Sequence, residues 1–210
     1  MHEGIDKTSL SLLSQARAND QSAWKQLVHL YGPLVEKWCR QAGLQKEDAA
    51  DVFQETFRAV AKHIGSFVPG RSVASFRSWL KTIVRTKTVD HFRRRSRQVM
   101  ADGGTAANAR IANVADPLQD DSEEETTSDD AVVVQRAMEL IRPEFDPRNW
   151  AAFEEVALRG RSATEVAAET GVAPQTVRQA NYRIRRRLRL ILEDLVDTSR
   201  ATLPQPKKTE

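Results

Sequence analysis

Apolar residues recur at helical spacing along most of this chain, and no stretch alternates convincingly at period two. Trp24, Leu27, Val28, Tyr31, Leu34, Val35 and Trp38 fall on one helical face, with Asp20 placed to cap its start. Gly32–Pro33 predicts a kink or a break in that run, and Gly43 its end. A second helix is expected from Lys46, with Val52, Phe53, Phe57, Val60 and Ile64 as its buried stripe and Gly65 as its stop. The Ser-, Gly- and Pro-rich SFVPGRSVAS, residues 66–75, reads as a loop. A third helix runs from Phe76 to about Arg95 on Phe76, Trp79, Leu80, Ile83, Val84 and Phe92.

The net charge of +3 is small, but the charge lies in blocks, and blocks carry more information than the sum. From Arg71 to Arg97 the charged residues are nearly all basic. From Asp116 to Asp130 they are all acidic, and from Arg178 to Arg189 they are basic again. Two basic surfaces imply polyanion partners. The segment 98–130 is small, polar and acidic, with too little apolar surface to offset the entropy of ordering it. It reads as a flexible linker that solubilises the chain or shields a basic surface. The expected fold class is therefore all-α: two small helical domains, 8–97 and 131–195, joined by an acidic linker and followed by a tail, 196–210.

In the second domain AVVVQRAMELI makes a helix ended by Pro143. Asp146–Pro147 starts another that carries Trp150, Phe153, Val156 and Leu158 and ends at Gly160. Then comes SATEVAAETGVAPQTVRQANYRIRRRL, Ser162 to Leu188. Ser162 and Glu165 have capping-box spacing, Gly171 suits a tight turn, and Pro174 opens a second helix. That helix buries Val177, Ala180, Ile184, Leu188 and Ile191 on one face. Its other face offers Gln175, Thr176, Arg178, Gln179, Tyr182, Arg183 and Arg186. A short helix, a glycine turn and a long basic helix make a helix-turn-helix. Gln and Arg in its first turns can make paired hydrogen bonds to purine edges, and the later arginines suit phosphates.

The first domain holds a second basic helix, FRSWLKTIVRTKTVDHFRRRSR, in which Phe76 and Trp79 are read as core. Lys81, Arg85, Lys87, Arg93, Arg94 and Arg95 form its basic side, a composition suited to single strands. Upstream stands DVFQETF, whose Asp51, Gln54 and Glu55 flank an apolar stripe. DVFQETF, a loop, this basic helix and, after a linker, a helix-turn-helix together resemble an extracytoplasmic-function sigma factor of bacterial RNA polymerase. The resemblance covers about residues 8–97 and 131–195.

That resemblance implies roles. Asp51, Gln54 and Glu55 match positions that dock on the clamp helices of the polymerase's largest subunit. The loop from Ser66, with Phe67 and Arg71, matches one that holds a flipped base of the start-proximal promoter element. Lys81, Arg85, Thr86, Thr88, His91, Arg93 and Arg94 would meet the opened non-template strand, Thr86 standing where the family often carries Asn. The second-domain set from Gln175 to Arg186 would read the upstream element as duplex. Core polymerase (clamp helices and flap), promoter DNA in both forms and an anti-sigma factor are the implied partners.

On the residues alone the alternative is a stand-alone helix-turn-helix regulator of duplex DNA, which leaves DVFQETF and the first basic helix unexplained. No enzyme is expected: His2, His29, His63 and His91 are scattered, and no metal-ligand spacing, nucleophile triad or phosphate loop is present. No cofactor or metal is expected. Cys39 stands alone, so no intrachain disulfide can form, and it should pack beside Trp38. MHEGIDKTSLSLL lacks the pattern of a signal peptide, and no segment is long and apolar enough to span a bilayer; a soluble, cytoplasmic protein is expected.

Overall fold

The computed structural model describes residues 12–67, 76–101 and 123–192, and every regular element among them is helical. The chain divides into two units, one of Leu12–Val133 and one that takes in the described residues from Val134 onward.

The first unit contains α1 (Leu12–Arg17), α2 (Gln21–Gln41), α3 (Lys46–His63) with a short 3-10 turn after it (Ile64–Ser66), and α4 (Phe76–Ala101). Asp20 caps α2 as expected, its Oδ1 accepting from the Ala23 backbone at 2.9 Å. Just past the end of α2, Gly43 has φ +78°, where any side chain would be strained. The break predicted at Gly32–Pro33 does not form: α2 runs through Pro33 as one helix. Pro33 removes one backbone donor, but Leu30, Tyr31, Leu34 and Val35 around it are all fully buried. Packing of that row holds the helix together across the lost bond. Gly32 faces the Phe53 ring of α3, where a Cβ would sit in ordinary van der Waals contact at 3.5 Å.

The buried row of α3 is Val52, Thr56 and Val60, continued by Ile64. Phe53 and Phe57, expected inside that stripe, lie at its edge, half-buried, with ring centroids 4.8 Å apart. On α4 the matching row is Phe76, Leu80, Val84 and Thr88, at steps of four. Phe76 also joins an aromatic cluster with Tyr31 at 5.0 Å and Phe67 at 5.5 Å, and Phe67 lies 5.1 Å from Trp79. Cys39 is buried next to Trp38 as expected, and burial pushes its thiol up to about 11, which leaves it unreactive.

The segment predicted as a linker is helical at both ends. α4 runs to Ala101, and α5 (Glu123–Ile141) begins well before Asp130. Asp129 is 1% exposed, against a prediction of solvated acid. Its Oδ2 accepts from Trp38 Nε1 at 2.9 Å and its Oδ1 from Lys37 Nζ at 2.7 Å. Arg77 lies 3.7 Å from Asp129 and 3.2 Å from Asp130. Composition could not reveal this, because the stabilisation comes from cations and an indole on α2 and α4, far away in sequence.

In the second unit α5 ends at Ile141 and a 3-10 turn follows (Arg142–Glu144). Asp146 then caps α6 (Pro147–Ala157), accepting from the Arg148 backbone at 2.9 Å, with Pro147 in the first position. α7 (Ala163–Thr170) opens on a complete capping box: Glu165 N donates to Ser162 Oγ at 3.2 Å and Ser162 N donates to Glu165 Oε2 at 2.8 Å. Gly171 has φ +70° and makes the turn into α8 (Pro174–Leu192). Ala152, Val166, Ala167 and Val177 form a buried cluster where α6, α7 and α8 meet, the small alanines permitting close crossing. Ala180, Ile184, Leu188 and Ile191 continue the buried row of α8.

Candidate functional site

The outer face of α3 carries the first predicted set. Asp51 and Gln54 are exposed, while Glu55 is half-buried. Gln54 Oε1 accepts from Arg58 Nη2 at 2.8 Å, one turn along the same helix. Asp51 forms no hydrogen bond or ion pair among the described residues. Glu55 is fully engaged: its two carboxylate oxygens accept from the two terminal nitrogens of Arg94 on α4, both at 2.9 Å. These bonds hold the Glu55 carboxyl below the usual carboxylate range. The half-buried Phe53 and Phe57 rings lie on the same helix as these polar groups, which combines apolar area with charge at its rim.

The second set, on α4 and at the end of α3, divides into outward and inward residues. Arg85, Thr86, Arg93 and Arg94 are exposed. The Thr86 hydroxyl donates back to the Thr82 carbonyl at 2.9 Å, a bond made within its own helix. His91 is half-buried, its Nε2 3.4 Å from Asp48 Oδ1. Thr88 is placed differently from the expectation. It is fully buried because it continues the Phe76–Leu80–Val84 row, so its side chain has no surface to offer a strand. Lys81 is 8% exposed and lies over the Trp38 ring at 5.9 Å, a cation–π contact in the core edge rather than an outward charge. Phe67 is likewise buried, in the aromatic cluster. Ser66 is exposed, its hydroxyl donating to the His63 carbonyl at 2.8 Å. Arg71 lies outside the described residues.

The third set forms one continuous surface on α8. Gln175, Thr176, Arg178, Gln179, Tyr182, Arg183 and Arg186 are all exposed, and Tyr182 is the most exposed large hydrophobic side chain among the described residues, at 67%. Gln175, Arg178, Gln179, Tyr182 and Arg183 line a shallow open hollow. Arg178, Arg183 and Arg186 form no ion pair among the described residues. Two arginines off that face are tied down instead. Arg187 makes a two-pronged bond to Glu144 at 2.7 and 2.8 Å, and Arg185 Nε donates to Asn181 Oδ1 at 2.7 Å. The face from Gln175 to Arg186 is left outward.

Sequence reasoning missed several residues that hold these faces. Asp48 pairs with Arg95 across α3 and α4, and its place one helical turn before Asp51 was the available signal. Arg17 on α1 donates to the carbonyls of Ile64, at 3.1 Å, and Phe67, closing off the end of α3. Nothing in the local pattern around Arg17 pointed to a contact 47 residues away. Among the described residues no group of His, Cys, Asp or Glu is placed to hold a metal ion, and no helix is long and apolar enough to cross a membrane.

Comparison with known proteins finds similarity to RNA polymerase sigma factors. Residues 27–98, which take in most of α2 and all of α3, match the family model of Sigma-70 region 2. The ECF RNA polymerase sigma factor SigE of Mycolicibacterium smegmatis is 29% identical over 175 residues, 81% of this chain and 63% of that protein. The RNA polymerase sigma factor CnrH of Cupriavidus metallidurans is 33% identical over 102 residues, 48% of this chain and 52% of that protein. The chain therefore spans less than two thirds of the length of either relative.

Proposed function

We propose that the chain is an extracytoplasmic-function sigma factor of the sigma-70 family, one that directs core RNA polymerase to specific promoters and helps open them. The observation that carries the reading is the Sigma-70 region 2 match over residues 27–98, which contains both the exposed acid–amide face of α3 and the basic face of α4. α3 would dock on a basic helix of the polymerase through Asp51 and Gln54, with Phe53 and Phe57 supplying buried apolar area. Rim charge pairs alone are worth little, about 0–1 kcal/mol each, so the two rings matter as much as the charges.

α4 would hold the opened strand. Arg85, Thr86, Arg93 and Arg94 are the predicted residues with surface to offer, and Ser66 ends the 3-10 turn that follows α3. Opening draws its energy from polymerase binding and from capture of unpaired bases, with no covalent step. α8 would enter a major groove, where a two-pronged Arg or Gln contact discriminates one base pair from another by about 1–3 kcal/mol. Gln175, Arg178 and Gln179 lie in its first turns, where such contacts are made. An anti-sigma factor covering the α3 face would keep the chain idle.

The test is binding to core polymerase and initiation from a promoter library, wild type against Asp51→Arg. Loss of both in a variant that melts like wild type supports the reading. If wild type binds duplex DNA but neither binds polymerase nor initiates, the chain acts as a stand-alone helix-turn-helix regulator instead.

A further inference from the structure

Two side chains assigned by sequence to different sites are bonded to each other. Glu55 belongs to the polymerase-facing set on α3, and Arg94 to the strand-facing set on α4. Both oxygens of the one meet both terminal nitrogens of the other at 2.9 Å. This fork-to-fork geometry is the strongest form of a surface ion pair. It is also reachable by other groups, since the Glu55 side chain is 25% exposed and that of Arg94 52%. Lys87 and Arg58 lie close enough to favour the Glu55 carboxylate, and Asp90 and Asp51 to favour the Arg94 charge. The pair therefore sits in a field where each member has second partners at hand, and neither would be left uncompensated by an exchange.

A guanidinium held this way presents less net charge to a phosphate than a free one. The same carboxylate is one turn from Asp51, on the face offered to a basic partner helix. We propose that Glu55 is a positioning residue for Arg94: in the free chain it masks the guanidinium, and a basic group of the polymerase takes over the carboxylate and releases Arg94 to the opened strand. This rests on the reading of α3 as the polymerase-docking face and α4 as the strand-facing one. Polymerase docking and strand capture are then coupled through one carboxylate, and free chain is kept from binding single strands at full strength.

The experiment measures binding of a short labelled single strand to the full chain across a salt series, for wild type, Glu55→Gln, Arg94→Gln and the double variant. Glu55→Gln is expected to bind about two- to fivefold more tightly than wild type, the range for freeing one partner of a surface pair. Its plot of log affinity against log salt should steepen by about 0.7, the value for one more phosphate contact to a single strand. A merely structural role would not change that slope. The double variant should lose the gain and match Arg94→Gln. Arg94→Lys, which keeps the charge but cannot form the two-pronged bond, should shift binding in the same direction as Glu55→Gln without altering α3.

With saturating core polymerase, wild type and Glu55→Gln should capture the strand equally. The proposal is overturned if Glu55→Gln melts like wild type and binds the strand no more tightly, or if its advantage persists undiminished with polymerase. Failure of the underlying reading looks different: Asp51→Arg would then keep full polymerase binding, whatever Glu55→Gln does.

Discussion

The two basic helices, α4 and α8, share a composition and differ in how their charges are answered. On α4 three of the arginines meet acids. Arg94 is bonded to Glu55, Arg95 to Asp48, and Arg77 to Asp129 and Asp130, while Lys81 lies against Trp38. On α8 the predicted reading face has no acid against it among the described residues, and the acid that is present, Glu144, pairs with Arg187 off that face. A basic helix in sequence is therefore two things in structure: a guarded surface and an open one. Open presentation suits duplex DNA, whose phosphates and base edges are always available. A guarded surface suits a ligand that exists only after another partner has acted, as an opened strand does.

Breaking the guard where it is buried should have the largest effect. Asp129→Ala leaves Lys37 without its carboxylate, the Trp38 indole without its acceptor, and Arg77, 4% exposed, with Asp130 alone. A loss of about 3–5 kcal/mol is expected in the stability of the first unit, read as a drop in urea midpoint. A midpoint within experimental error of wild type would mean that the acid does not guard α4 in solution. Next in size, Arg178→Ala on the open face should weaken upstream-element binding by about 1–3 kcal/mol with an unchanged melting curve. Loss of folding instead would show that α8 is not the free surface described.

The smallest effect is the pH response of the exposed pair. Arg94 lowers the Glu55 carboxyl from its ordinary 4.5, so the pair's contribution is complete above that value. It is lost as pH falls through the lower folded value, and should be absent in Glu55→Gln. A small acid-side dip in stability that persists in that variant would assign it to other carboxylates.

Much of this was legible in the chain. Caps at Asp20, Asp146 and Ser162, and the turn glycines at 43 and 171, stand where their local chemistry requires, because each acts within a few residues of itself. The outward face of α8 was legible for the same reason: one strongly periodic helix defines both its faces. The errors came where two elements compete for one residue. Phe53 and Phe57 satisfied the apolar stripe pattern as well as Val52 and Val60 did, and only packing against the neighbouring helices decided that Val52, Thr56 and Val60 went inside. Thr88, which the resemblance set toward the opened strand, instead continues a buried row.

The sequence by itself determined an all-helical chain, the starts and stops of most helices, the helix-turn-helix and the order of its basic and acidic blocks, because these depend on neighbours a few residues apart. Tertiary structure alone decided which charges remain available. Whether Asp129 is a solvated acid or a buried anchor, and whether Arg94 is free or held by Glu55, depends on partners 39 to 92 residues away. No local pattern encodes such distances. Packing sets them, and with them which of two similar basic helices is open and which is guarded.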